Sequence, residues 1–325
     1  MINYIIRRLF YVLPVLLGVN ILTFVLFFIV NSPDDMARMQ LGDKHVTQAA
    51  VDNWKQQRGY NLPLLWNKQE AGVKQFSETI FFEKSVGLFV FDLGVSDSGR
   101  DIVADISQRM WPSLAIAIPS LIFGVLANIT FALLLIFYRG SILEFGGLFL
   151  CIALMSISGL FYIIAGQYFV GKLLALTPIS GYAPGVDALK FIILPVLIGV
   201  VSGLGSGVRW YRTLFLEEAA KDYVRTAKAK GLSDIEVLFK HVLKNAMIPI
   251  LTGIVVILPL LFMGSLITES FFGIPGLGSY TIDAISSQDF AIVRSMVFLG
   301  SFLYIIGLLL TDISYTLVDP RVRLD

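Results

Sequence analysis

The chain is poor in cysteine, histidine and charge. It holds one cysteine, two histidines and 49 Asp, Glu, Lys and Arg residues (25 basic and 24 acidic) in 325. Each shortage excludes something. Cys151 alone allows no intrachain disulfide and no thiolate metal cluster. His45 and His241 stand far apart in sequence, so a histidine-based metal site is unsupported. Only 15% of residues are charged, against about 25% in ordinary soluble domains. The net charge of +1 gives no sign of nucleic acid as a partner. Catalytic patterns are missing too: the chain has no G-x-S-x-G, no H-E-x-x-H and no paired intramembrane carboxylates. Gly166-Gln-Tyr-Phe-Val-Gly171-Lys172-Leu173 stops one residue short of a phosphate-binding loop. The last position of that loop needs a Ser or Thr hydroxyl for magnesium, and no strand precedes the stretch. Ser156 and Ser158 have no His or Lys nearby to activate them.

Apolar length takes the place of charge. The chain is 56% hydrophobic with a mean hydropathy of +0.77. Apolar runs near 20 residues recur, the length that crosses a bilayer as helix. The sequence predicts an all-α polytopic membrane protein with six spans, near 9–30, 113–138, 143–170, 189–208, 247–272 and 291–317. The first run is too long for a signal-peptide core, and no A-x-A site follows it. Arg7 and Arg8 precede the first span, Arg139 follows the second, and Arg321 and Arg323 follow the sixth. Eight Lys/Arg lie between Arg209 and Lys244, whereas the 273–290 loop has none. By the positive-inside rule both termini and the 217–249 segment are expected on the cytoplasmic side.

The sequence thus divides into an N-terminal transmembrane helix (1–30), an extracytoplasmic segment (31–112) and a five-helix core (113–325). In the extracytoplasmic segment, Thr47 can N-cap a helix that Gly59 ends. Phe81–Leu93 is aromatic and glycine-bearing, either strand or a stretch lying against the membrane. Among the spans, the Gly199–Gly207 cluster marks a tight helix contact or a hinge. The charges within spans that stand out are Glu269 near the outer end of the fifth, Arg294 at the start of the sixth, and Asp312 near its inner end. Each is near enough to an interface to snorkel or pair. Asn128 and Gln167 are polar but neutral. The buried acidic relay of an ion-driven carrier is missing, so an energy source on another subunit is expected.

The 217–249 segment carries the densest information. Its Ala, Lys and Glu favour helix, and no proline comes before Pro249. Gly231 interrupts, after which Ser233 can cap a second helix with Glu236 completing a capping box. A short helix, a glycine turn and a second helix would form a docking element, or else a solvated basic loop facing lipid headgroups.

Taken together, several stretches resemble the inner-membrane permease subunit of a binding-protein-dependent ABC importer, in its dipeptide/oligopeptide/nickel branch. They are Arg7-Arg8-Leu9, Phe91-Asp92-Leu93-Gly94 with Ser96, the run Asp222 to Leu232 (DYVRTAKAKGL) with His241, Asn245, Ala246 and Pro249, the run Glu269 to Gly278 (ESFFGIPGLG) with Asp283 and Asp289, and Asp319-Pro320-Arg321 with Arg323. Glu218-Ala219-Ala220 looks like the family's name-giving triplet, but that motif requires Gly where Val224 stands. Counting back from Gly231 puts the triplet at Arg225-Thr226-Ala227. Phe91 replaces the glycine of G-D-L-G, Gln288 stands where Arg is common, and Phe290 where Tyr is.

The resemblance implies a type I importer architecture, with a cytoplasmic coupling helix inside a coupling loop at 209–246. Asp222, Tyr223, Arg225, Thr226, Ala227, Lys228, Lys230 and Gly231 would dock an ATPase, the small Thr226, Ala227 and Gly231 entering its groove. Glu269, Pro275, Gly276 and Gly278 would form a structural or gating loop, with the glycines supplying positive φ. Substrate contacts are not assignable. No cofactor is expected on this chain, ATP and magnesium belonging to partner subunits. The implied partners are a second homologous permease, two ABC ATPases, a periplasmic or lipid-anchored solute-binding protein and membrane lipid, without nucleic acid. The implied location is the bacterial inner membrane and the default cargo is peptide. Competing readings are a stand-alone ion-coupled carrier or channel, an intramembrane enzyme, and a permease of this family working in export.

Overall fold

The computed structural model describes residues 2–42 and 46–318, with side chains at 10–42 and 46–314. His45 and the 319–323 stretch lie outside the described residues, as do the side chains of Arg7 and Arg8. The described chain is helical, with a single isolated bridge between Val95 and Asp101. It divides into two compact units. Of the described residues, one comprises those up to Gln108 plus Thr281–Ile305; the other comprises Arg109–Tyr280 plus those from Ile306 to Val318.

In the first unit, α1 (Ile2–Phe24) continues through wider turns to Val30. It is followed by α2 (Pro33–Leu41), α3 (Gln48–Arg58) and the short α4 (Lys74–Ser77). Ser32 and Asp35 form a capping box at the start of α2. The Thr47 side chain accepts from Ala50 N at the start of α3, and Gly59 ends it in the left-handed region at φ 70°. Phe24, Phe28, Met36, Val51, Trp54, Tyr60 and Ile80 make one buried cluster, and Phe290 packs against it. The strand alternative for Phe81–Leu93 is incorrect: Phe82–Val86 and Gly87–Val90 are helical turns. Phe91 then adopts φ 59°, a conformation natural to the glycine of the related motif. Its ring packs 5.0 Å from Phe302, which helps hold the strained backbone.

The second unit is built on long helices. The helix α5 (Ile102–Phe137) starts well before 113. At 1.5 Å per residue it spans roughly 54 Å, more than a bilayer core of about 30 Å requires. The third span is two helices, α6 (Ile142–Ser156) and α7 (Gly159–Gly166), the latter continued to Leu173, bent by 90°. The break falls at Ile157-Ser158, where the chain is extended. The near-match to a phosphate loop is helical over Gln167–Leu173, so its amides bond along the chain and cradle nothing.

The helix α8 (Ala188–Ala219) outruns its expected end at 208 and carries Arg209 and Arg212 with it. A separate α9 (Asp222–Ala229) follows. Then α10 (Asp234–Val237), a widened turn and α11 (Lys244–Ile257) run on without a break, and a tighter turn carries the helix to Met263. Two corrections result. The second cytoplasmic helix is the beginning of the fifth span, leaving α9 as the one free-standing helix there. That span also ends at Met263, so Glu269 belongs to a separate helix, α12 (Leu266–Phe272). The remaining helices are α13 (Leu277–Ser286) and α14 (Phe290–Val318).

The glycine cluster of α8 is a packing surface. A Cβ on Gly205 would lie 2.9 Å from Met155 N and against Cys151 O of α6, and one on Gly207 would strike the Asn128 amide of α5. Backbone cannot move aside as a flexible side-chain tip can. Overpacking of this kind costs about 1–3 kcal/mol. Gly205→Val is therefore expected to lower the melting temperature of the detergent-purified chain by several degrees, whereas Gly203→Ala, which meets nothing within 4 Å, leaves it unchanged.

Candidate functional site

Two constellations gather the residues singled out in the sequence. Both lie in the second unit.

The first is α9 and its seat. Lys221 precedes it in extended conformation, and Asp222 opens the helix, where a carboxylate favours the N-terminal dipole. Val224 and Ala227 are buried. They join a core with Phe215 of α8, Val237 and Leu238 of α10 and the turn after it, and Ala246 of α11. This corrects the expectation for Ala227. At 4% exposed it seats the helix on its own chain and is not available to a partner's groove. Asp222, Tyr223, Arg225, Thr226, Lys228, Lys230 and Gly231 are all exposed. Gly231 takes φ 80° and turns the chain into α10, where Ser233 and Glu236 form the expected capping box.

Ion pairs brace the helix from both ends. Lys228 Nζ lies 2.8 Å from Asp234 across the glycine turn, and Arg225 lies 3.6 Å from Asp222. Glu218, at the end of α8, is buried; it accepts from Lys221 Nζ at 2.6 Å and from the Tyr223 hydroxyl. Burial, then the bond to Glu218, pushes the Tyr223 phenol up to about 12. Above this clamp, Arg212 of α8 pairs with the buried Glu144 of α6, which also accepts from Gly140 N at 2.6 Å. Sequence reading missed Glu144, and it noticed Glu218 only as part of a triplet, not as a clamp on Lys221 and Tyr223. The available signal was a carboxylate in the first turn of one helix and another one turn before the docking helix.

The second constellation is a hairpin between α12 and α13. Glu269 neither snorkels nor meets a cation. It is 1% exposed, and its carboxylate gathers backbone amides. Oε1 accepts from Ser265 N at 3.0 Å; Oε2 accepts from Gly278 N at 2.7 Å and Ser279 N at 3.2 Å. Ser113 of α5 hydrogen-bonds the same carboxylate, and its Oγ accepts from Leu277 N at 2.8 Å. Burial pushes the Glu269 carboxyl up, and these donors pull the other way. Ser113 carries no sequence signal of its own.

The glycines of this loop are needed for a reason other than the expected one. Gly276 and Gly278 do not take positive φ; Gly264 (φ 69°) and Gly273 (φ 62°) do. A Cβ on Gly276 would meet Glu269 and Ser113, and one on Gly278 would meet the Ser265 backbone. Pro275 leads into the first turn of α13. Gln167 fastens the hairpin further, donating to Phe271 O and Ile179 O, both at 2.9 Å. Asn128 stays buried, its Oδ1 without a partner. Among the described residues, no three His, Cys, Asp or Glu side chains are grouped to hold a metal ion.

The stretches that carry the resemblance thus fold as a short exposed helix seated between two spans and a hairpin closed on a buried glutamate. Residues 128–324 match the family profile described as the binding-protein-dependent transport system inner membrane component. The chain belongs to that family. Residues 1–112 match the family's separate N-terminal profile. The chain is a multi-pass inner-membrane protein, the permease subunit of an ABC importer, and among the described residues five apolar helices plus the bent pair fit up to six crossings. A protein of Brucella abortus (strain 2308), named as the permease of a peptide transport system, is 31% identical over 327 residues, covering 99% of both chains. The dipeptide transport system permease protein DppB of Escherichia coli (strain K12) is 28% identical over 351 residues, again covering 99% of both.

Proposed function

We propose that this permease forms half of a translocation pathway for dipeptides or oligopeptides, driven by ATP on other chains. A second permease completes the pathway. One of two ABC ATPases docks at α9, the other on the second permease, and a solute-binding protein delivers cargo to the opposite face. ATP and magnesium are bound by the ATPases alone. Both termini and α9 face the cytoplasm, which the Lys/Arg distribution supports. In this reading 1–30 is the first crossing, 31–112 an extracytoplasmic segment and 113–325 the permease core. Peptide as cargo is supported by the names of the relatives.

The observation that carries the docking assignment is the two-sidedness of α9. Its apolar side is fixed in the chain's own core. Its other side offers Arg225 with 78% of the side chain exposed, next to Thr226 and Lys230. Exposed ion pairs such as Arg225–Asp222 are worth under about 1 kcal/mol. Arg225 is therefore free to re-pair with an acidic partner. ATP binding and hydrolysis would then switch the permease pair between inward- and outward-facing states.

Arg225→Glu combined with Lys230→Glu is expected to lower transport-coupled ATP hydrolysis at least tenfold in proteoliposomes of the assembled transporter. Membrane insertion of the chain should be unchanged. Uptake of peptide by the purified chain alone, without ATP, would contradict the proposal.

A further inference from the structure

A cavity of about 530 Å³ opens in the first unit, lined in part by Arg58, Tyr60, Lys84, Ser96, Asp97 and Arg294. Its positive charge exceeds what its own acids neutralise. Arg58 Nε donates to Asp97 Oδ1 at 2.7 Å, so those two charges cancel. Gln40 donates to the same carboxylate. Lys84 lies 4.0 Å from Glu83, the outer limit of an ion pair, and the Glu83 side chain is 46% exposed. Arg294 is in a different position. It is 4% exposed, its guanidinium lies 5.5 Å from the centre of the Phe28 ring, and its Nε has no hydrogen-bond partner. Among the described residues no carboxylate pairs with it. Asp289, just before α14, commits its oxygens to Asp97 N at 2.8 Å and Ile292 N at 3.2 Å.

A buried guanidinium without a counter-charge is costly, and the ring beneath it offsets only part of that cost. Its fork fits a planar oxyanion through two parallel bonds. With Arg58 and Asp97 paired, Arg294 keeps its charge and Lys84 part of its own, while the carboxylates of Asp289 and Asp92 stand nearby, so the positive excess is small. That balance suits a monoanion better than a phosphate dianion. The Tyr60 ring, 5.7 Å from Lys84 Nζ, supplies an apolar wall beside the charge.

We propose that Lys84 and Arg294 form a receiving site for a single carboxylate, that of the C-terminus of a short peptide. The site would hold cargo on the side from which it is delivered. The carboxylate chemistry stands on the cavity alone, whereas the choice of a peptide rests on the function proposed above.

The test is the acetylation of Lys84 by acetic anhydride, read by mass spectrometry on the intact transporter in phosphatidylcholine nanodiscs. Saturating Ala-Ala is expected to slow Lys84 acetylation at least fivefold, acetate at high concentration is expected to slow it too, and Ala-Ala amide to leave it unchanged. Arg294→Gln should abolish the protection while Lys84 still reacts. Arg294→Lys, which keeps the charge, should retain part of it and shows that loss in the first variant is not misfolding. Protection by acetate without peptide transport would uphold the carboxylate site and sink the peptide reading. Peptide transport with no protection by Ala-Ala or acetate would overturn the site. Protection by inorganic phosphate or by phosphatidylglycerol nanodiscs, with none by Ala-Ala, would overturn the carboxylate assignment in favour of a phosphate or lipid headgroup.

Discussion

Glu269→Ala is expected to destabilise the detergent-purified chain by about 3 kcal/mol or more. The carboxylate accepts three backbone amides, from Ser265, Gly278 and Ser279, inside a buried hairpin. A buried donor left without a partner costs about 1–3 kcal/mol. Three such donors put the loss near 3 kcal/mol or above, a large fraction of the roughly 5–15 kcal/mol that keeps a domain folded. Water could recover part of this only by entering a space that Gly276, Gly278 and Ser113 leave barely open. Glu269→Gln keeps one acceptor oxygen and is expected to lose less than half as much. The sign of the pH effect follows from the direction of the shift. Burial raises the folded-state pKa of this carboxyl above its unfolded value. The protonated form is thus the better tolerated one, and Glu269 contributes most below its unfolded pKa, with that contribution lost as pH rises through the folded value. Acidification to about pH 5 should therefore not open the hairpin through this residue. Thermal unfolding of the two variants in detergent, at pH 5 and pH 7, checks both statements. Equal melting temperatures for Glu269→Ala and the unaltered chain would refute the amide-gathering role.

The second large effect is functional. Gly231→Val is expected to cut coupled ATP hydrolysis and transport at least tenfold with the chain still inserted. Nothing lies within 4 Å of a Cβ at this position, so crowding is not the cause; φ of +80° is. A β-branched residue held there costs about 1–3 kcal/mol. The chain can relieve that cost by unwinding the turn that sets α9 against α10. Asn tolerates the left-handed region, and Gly231→Asn should keep most of the coupling. This pair of variants separates backbone geometry from side-chain recognition. Two equally impaired variants would mean that a partner touches Gly231 itself and needs it bare.

Much of this was legible in the sequence because it is written in local chemistry. Thr47, Gly59, Gly231 and the Ser233–Glu236 box act within one turn of helix, and each is found where the residue pattern puts it. The six apolar runs were legible because bilayer thickness sets their length. What escaped depends on distance along the chain. Ser113 and Glu269 meet across 156 positions, and Glu144 and Arg212 across 68, and no periodicity connects such pairs. Ala227 was misjudged because a small residue can equally enter a partner or sit in its own core. Only the position of Phe215 and Val237 decides which. Gly276 and Gly278 were read through torsion angle, whereas what sets them apart is the closeness of Glu269, Ser113 and the Ser265 backbone. The break at Ile157-Ser158 was hidden because hydropathy does not sense direction.

The end of α8 that grips α9 and the stretch that packs on α5 and α6 are one uninterrupted helix. At 1.5 Å per residue its 32 residues make a rod about 48 Å long. The pivot, at Gly205 and Gly207, lies nearer the Glu218 end. Roughly a dozen residues separate the pivot from the Glu218 clamp, an arm of about 18 Å, and about eleven separate it from Pro195, where the missing N–H weakens the helix. A push on α9 would therefore be carried past the fulcrum of bare backbone at nearly equal amplitude as far as Pro195, beyond which the helix can bend.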